Sequence, residues 1–279
     1  MNSSEQTCNI RHLITLGDLS NDEILSIIKE AKNFKEVLQR EIKKVPALRG
    51  KTVVLLFFEP STRTKISFEL AAKRLSADVV NFSASTSSVK KSESLKDTVK
   101  TLEAMAADIF VIRHSYPGAA SFIKRYVKGS VLNAGDGAHA HPTQALLDLY
   151  TIYEKKGGFK GLKVAIIGDI KHSRVVRSDI IGLTRLGARV VLCGPSTLLP
   201  RYIERFNVDV TYNIDEAIDS IPVVIKILKS FDPAIPNDLV VYFGLKVAKE
   251  KGFKEVMTGD GADELFAGYP YMQEMKDLE

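Results

Sequence analysis

Residues 61–64, Ser-Thr-Arg-Thr, come directly after an apolar, β-branched run that ends at Phe58 and a Glu59-Pro60 break. Phe68, Ala71, Ala72 and Leu75 recur at helical spacing behind them, so a helix opens on the hydroxyls and buries one face. Ser61, Thr62 and Thr64, the Arg63 guanidinium and the first free backbone N–H groups then converge where a phosphate dianion would be held. The same residues also suit an ordinary cap, with Ser61 or Thr62 closing the first turn and Arg63 in solvent. Three further apolar runs end in polar groups: Arg113, His141 with Gln144, and Lys171 with Arg174. Strand ends of a parallel sheet share one edge, so such groups can meet there. Together they are cationic and poor in acceptors, with no candidate nucleophile–base pair. His139-x-His141 beside Asp136 is compatible with a metal, but no third ligand follows at a convincing spacing.

The elements that must place these groups alternate. Helices are expected at 21–39, with Asn21 or Asp22 as cap, at 61–75, from Ser94 with Leu95, Val99, Leu102 and Ala106 on one face, at 118–127, and from Pro142. Strands are expected at 52–58, 78–82, 109–113 and 130–133, and a serine-rich polar loop at 83–94. Gly157-Gly158 marks a boundary. A second unit follows with strands at 163–168, 189–193, 208–212 and 223–228 and helices at 174–186 and 214–220. This is the pattern of an α/β protein with two doubly wound parallel-sheet domains.

Bulk properties exclude several classes. A chain of 279 residues with 45% hydrophobic and 26% charged residues has room for two ordinary soluble domains. No run is long and apolar enough to span a bilayer, and no signal segment opens the chain. Cys8 and Cys193 are isolated, which fits a reducing cytoplasm. The net charge of +5 is scattered rather than striped with aromatics, which suits small anions and not nucleic acid.

Phe57-Phe58-Glu59-Pro60-Ser61-Thr62-Arg63-Thr64 with Ser67-Phe68-Glu69 resembles the carbamoyl-phosphate site of the aspartate and ornithine carbamoyltransferases. Arg113-His114 and His141-Pro142-Thr143-Gln144 resemble the family's further phosphate-side motifs. Gly135-Asp136-Gly137 and Gly168-Asp169-Ile170-Lys171-His172-Ser173-Arg174 are similar to the aspartate type. The resemblance covers roughly residues 10–220 and implies roles. Ser61, Thr62, Arg63, Thr64 and Arg113 would hold the phosphate. Thr64, Arg113, His141 and Gln144 would surround the carbamoyl carbonyl and stabilise the oxyanion formed when an amine attacks it. Lys171 would lie on the second-substrate side, and Arg174 would clamp a carboxylate of L-aspartate. Ser87 and Lys91 of the serine-rich loop would reach a neighbouring subunit's site, which implies a homotrimer; Ser92-Glu93 stands where the family usually has Gly-Glu. Neither metal nor cofactor is implied, and the setting is the cytoplasmic synthesis of pyrimidines.

Beyond about Ser220 the pattern ends. Ile227-Leu228-Lys229-Ser230 stands where a Leu-Arg-x-Gln segment is expected, and the later His-Pro-Gly-Pro loop is missing. Residues 254–279 carry two Lys against seven Asp or Glu, and no Arg follows Arg205. A helix at 236–252 and a strand at 255–258 lead into Thr258-Gly259-Asp260-Gly261-Ala262-Asp263-Glu264-Leu265-Phe266, which resembles the synthetase domain of asparagine synthetases. That family's Ser-Gly-Gly-x-Asp-Ser adenylating loop is missing, so Asp260, Asp263 and Glu264 are at most weak Mg²⁺ ligands and the tail reads as an extension of the second sheet. The expected organisation is a carbamoyl-phosphate domain at 1–150, a partial aspartate domain at 151–228, rebuilt at its C-terminal part, and a tail at 229–279. Carbamoyl transfer to aspartate is the expected reaction, with phosphate-side binding kept and aspartate affinity reduced. The alternatives are a non-catalytic anion-binding chimera, an ATP-using amide-forming enzyme and ornithine specificity.

Overall fold

The computed structural model describes residues 10–83, 94–213, 224–227, 249–250 and 256–258. It divides into two compact units: residues 1–157 with 177–182, and residues 158–176 with 183–279.

In the first unit α1 (Asn21–Leu38) precedes β1 (Thr52–Phe57), α2 (Thr62–Arg74), β2 (Asp78–Ser83), α3 (Leu95–Ala104), β3 (Ile109–His114), α4 (Ala119–Lys124), β4 (Ser130–Asp136) and α5 (Pro142–Lys156). All strand pairs are parallel, in the order β2-β1-β3-β4. Alternation along β1 divides the core between two faces. Val54 and Leu56 join Phe110 and Ile112 under Val99 of α3 and Ala119, Ala120 and Ile123 of α4. Val53, Leu55 and Phe57 join Val111 and Ala134 under Ala72 and Phe68 of α2. Helices on both faces leave the C-terminal strand ends as the edge where polar groups collect.

Details of the elements correct the sequence reading. The cap of α1 is Ser20, not Asn21 or Asp22: its hydroxyl accepts from Glu23 N at 3.1 Å, and the Glu23 carboxylate accepts from Ser20 N at 2.7 Å. This Ser-x-x-Glu box satisfies two otherwise orphaned donors and outcompetes a cap one residue later. Ala71 is exposed although its spacing assigns it to the buried face, and Ala106 lies beyond the end of α3 with φ 63°. The serine-rich loop at 84–93, and with it Ser87 and Lys91, lies outside the described residues.

In the second unit β5 (Lys163–Ile167), α6 (Arg174–Arg185, of which 177–182 belongs to the first unit), β6 (Arg189–Cys193), β7 (Asp209–Thr211), β8 (Val224–Ile227) and β9 (Val256–Thr258) follow. The sheet is parallel in the order β7-β6-β5-β8-β9. Gly194 sits so close to Gly168 that a Cβ would lie 2.4 Å from the Gly168 carbonyl oxygen, so the exits of β5 and β6 touch backbone to backbone. Lys249 and Glu250 are helical, and β9 pairs with β8 through Ile225–Val256, Lys226–Met257 and Ile227–Thr258. The expected helix at 214–220 and residues 260–264 lie outside the described residues.

Phe110 is fully buried at the centre of the first unit's sheet. Phe110→Ala is expected to destabilise that unit by about 3–5 kcal/mol, read as a lowered urea midpoint at unchanged slope.

Candidate active site

The turn between β1 and α2 leaves its hydroxyls free for chemistry other than capping. Ser61 is the residue before α2, with extended backbone, but its side chain accepts no bond from the first helical turn. Instead its hydroxyl donates to Thr64 Oγ1 at 3.0 Å. Ser61 and Thr64 are half-buried, whereas Thr62 and Arg63 are exposed at the helix start.

Arg113 is brought beside this turn by register. It pairs with Phe57 across the β1–β3 ladder, and its carbonyl accepts from Phe58 N at 2.9 Å. Its guanidinium is fixed at both ends: Nη2 donates to Glu59 Oε1 at 2.7 Å and Nη1 donates to the Ala134 carbonyl at 3.2 Å. That carbonyl is available because of an irregularity in β4. Ile112 pairs with Asn133 but His114 with Asp136, so β4 carries one residue more than β3 across the step. A bulge of this kind turns a peptide group out of the ladder, here toward a side chain. Glu59 was not singled out among the site residues from the sequence. The signal was its place between the end of an apolar run and the hydroxyl turn.

The following loop is organised by Asp136, 1% exposed. Its carboxylate accepts from Gly118 N at 2.6 Å, Asn133 Nδ2 at 2.8 Å and Ala140 N at 3.2 Å, and lies 3.0 Å from His139 Nδ1. Asn133, fully buried, also donates to the Ile14 carbonyl and accepts from Gly135 N at 2.9 Å. The Asp136 carboxylate is thus shared among four groups. Among the described residues no group of three His, Cys, Asp or Glu could hold a metal ion.

The loop delivers His141 to the start of α5, where Pro142 occupies the first helical position. His141 is buried, and its backbone N–H donates to Ser178 Oγ at 2.9 Å. Its Nδ1 lies 3.3 Å from the Thr143 hydroxyl. Gln144, one turn into the helix, donates through Nε2 to Asp148 at 3.3 Å. Ser61, Thr64, Arg113 and His141 thus emerge from neighbouring strand ends of one unit. Lys171 and Arg174 belong to the second unit, at the exit of β5. There the Asp169 carboxylate accepts from His172 N at 3.0 Å and lies 3.0 Å from its Nδ1, a second use of the Asp-x-x-His turn.

A family model described as aspartate/ornithine carbamoyltransferase, carbamoyl-P binding domain, matches residues 11–154. The chain belongs to this family. The aspartate carbamoyltransferase catalytic subunit of Halothermothrix orenii is 59% identical over 214 residues, 77% of this chain and 68% of the relative. That of Moorella thermoacetica is 56% identical over 77% of this chain and 70% of the relative. Among solved structures, aspartate transcarbamoylase of Trypanosoma cruzi in complex with carbamoyl aspartate and phosphate superposes with TM-score 0.77 at 29% identity, covering 95% of this chain and 91% of that one. The catalytic subunit of M. Jannaschii aspartate transcarbamoylase gives TM-score 0.73 at 33% identity, covering 95% and 94%. A second model, asparagine synthase, matches residues 200–278. The two family-model matches are separated by residues 155–199, and no described helix is long and apolar enough to cross a membrane.

Asp136→Asn is expected to cost about 2–4 kcal/mol of stability, since an amide nitrogen would face donors inside a buried network. Chemical denaturation checks the loss, and phosphate binding should weaken in parallel as the His141 loop relaxes.

Proposed function

We propose that the C-terminal edge of the first sheet binds carbamoyl phosphate and that the chain transfers its carbamoyl group to L-aspartate, giving N-carbamoyl-L-aspartate and phosphate. The observation that carries this reading is Arg113, whose guanidinium is held between the Ala134 carbonyl and Glu59, two residues before the Ser61–Thr64 turn. Ser61, Thr62, Arg63 and Thr64 hold the phosphate through hydroxyls, guanidinium and first-turn N–H groups. Thr64, Arg113, His141 and Gln144 act on the carbamoyl carbonyl, where negative charge develops as the amine attacks. Phosphate leaves without a covalent enzyme intermediate, and positioning of the two reactants supplies much of the acceleration. Lys171 and Arg174 of the second unit serve the aspartate carboxylates, Arg174 as a planar fork. Aspartate is preferred to ornithine because the curated relatives at 53–63% identity are named for aspartate.

The finer organisation follows the same reading. The first unit is the carbamoyl-phosphate domain, and the second is an aspartate domain whose last strand comes from the asparagine-synthase-like tail. No ATP chemistry is assigned to that tail. A homotrimer in which Ser87 and Lys91 complete the neighbouring subunit's site is consistent with apolar side chains left outward on α2 and the edge strand β2: Ile66, Leu70 and Val80. A reducing, cytoplasmic setting suits the buried cysteine Cys193.

Carbamoyl-aspartate formation measured over a wide aspartate range tests the reaction. Arg63→Ala is expected to lower turnover by roughly 10²–10³, and unchanged turnover would sink the site assignment. Arg174→Ala is expected to raise the KM for aspartate at least tenfold while calorimetric binding of carbamoyl phosphate stays as in the parent protein.

A further inference from the structure

His114 lies between the two arms of this site and has no role in the reaction described above. It is the last residue of β3, directly after Arg113, and pairs across the bulge with Asp136. Its Nδ1 accepts the backbone N–H of Tyr116 at 2.9 Å. An amide N–H can only donate, so Nδ1 carries no proton and the ring is the neutral Nε2–H tautomer. The imidazole packs on Phe58 at 5.2 Å between centroids and on Tyr116 at 5.3 Å, and Phe58 packs in turn on Phe82. The ring therefore closes a row of aromatics over the exits of β2, β1 and β3.

The turn that this bond closes is clamped to the neighbouring loop. Gly137 N donates to the His114 carbonyl at 2.9 Å, and Gly118 N donates to Asp136. Gly137, at φ 50°, leaves so little space that a Cβ there would lie 2.8 Å from Pro117 and 3.0 Å from the Ser115 carbonyl oxygen. Residues 115–117 thus lie flat against the loop that carries His141. One edge of the turn leads back to Arg113 and the other bears on the His141 loop.

We propose that His114 is a positioning residue of this site: by accepting the Tyr116 N–H it sets the exit of β3, and so holds Arg113 and the His141 loop in their mutual arrangement. The inference rests on the reading that this edge binds carbamoyl phosphate. It also gives the site a dependence on acid. A proton can enter the ring only at Nδ1, which destroys the acceptor and releases the turn. The charged groups facing the ring are Glu59 from the β1 exit and Asp136 from β4, with Arg113 adjacent in the chain. Burial lowers the His114 pKa from its ordinary value, against the opposing pull of Glu59 and Asp136. The ring is neutral at neutral pH, and the held arrangement is lost as pH falls through that lowered value.

Asparagine separates this role from a merely structural one, because its side-chain oxygen can accept an N–H two residues on and does not titrate near neutrality. Carbamoyl phosphate binding is measured by calorimetry on the full chain from about pH 8 down to about pH 4.5, a range that extends below that in which an ordinary histidine changes charge. H114N is expected to bind within about threefold of the parent at the upper end. H114L, without an acceptor, is expected to bind roughly five- to tenfold more weakly, as for one lost hydrogen bond. The ligand's own titration cancels in the ratio of parent to H114N, which should fall in favour of H114N as pH drops. A ratio that does not change with pH, or H114L binding as tightly as the parent, overturns the inference. If H114L fails to fold, the ratio alone decides. If the parent protein binds no carbamoyl phosphate, the proposed function fails and this inference with it; binding by the parent with a pH-independent ratio overturns the inference alone.

Discussion

Asp136 is almost wholly removed from water, and a carboxylate in such a place persists only if the protein replaces its hydration with donors. Four groups do so here: two backbone N–H groups, the Asn133 amide and the His139 ring. These donors come from the start of α4, from β4 itself and from the loop after it, so satisfying one charge ties three segments together. The bulge in β4 lies inside this network, and its freed carbonyl at Ala134 receives Arg113. Removing the carboxylate would leave the bulge, the arginine and the His141 loop without a common reference.

Electrostatics at this edge are balanced rather than simply positive. Arg113 is held by Glu59 with both side chains largely covered, at 14% and 22% exposure. In such surroundings an ion pair fixes direction as much as it adds energy, because both ions give up hydration to form it. A guanidinium aimed by a carboxylate and a carbonyl has little freedom left to lose when an anion arrives. The hydroxyl turn is arranged in the same spirit, with Ser61 bonded to Thr64 instead of to the helix end.

Much of this was legible in the chain. The alternation of apolar runs and helical spacings placed the parallel sheet, and the motifs around Arg63, Arg113 and His141 fell at strand ends because that is where β-to-α turns must occur. What could not be read was anything carried by register. The extra residue of β4, the pairing of Arg113 with Glu59 and the contact between His141 N–H and Ser178 join positions from 37 to 54 residues apart or depend on a one-residue slip. Local patterns do not encode such relations. The cap of α1 is readable in the chain, since Ser20-x-x-Glu23 is a local signal, but Asn21 and Asp22 beside it are capping residue types as well.

The pairing of β9 with β8 illustrates how little an outermost strand asks of its sequence. A parallel ladder asks only for peptide groups at the right spacing, and the outermost strand has a neighbour on one side alone. Three residues from a segment matched by another family's model occupy that berth through main-chain bonds. An interior strand such as β5, gripped from both sides and contributing buried side chains to the core, has no comparable tolerance. Changes of sequence would therefore be tolerated most readily at the rims of sheets, where main-chain pairing on one side joins the strand to its neighbours.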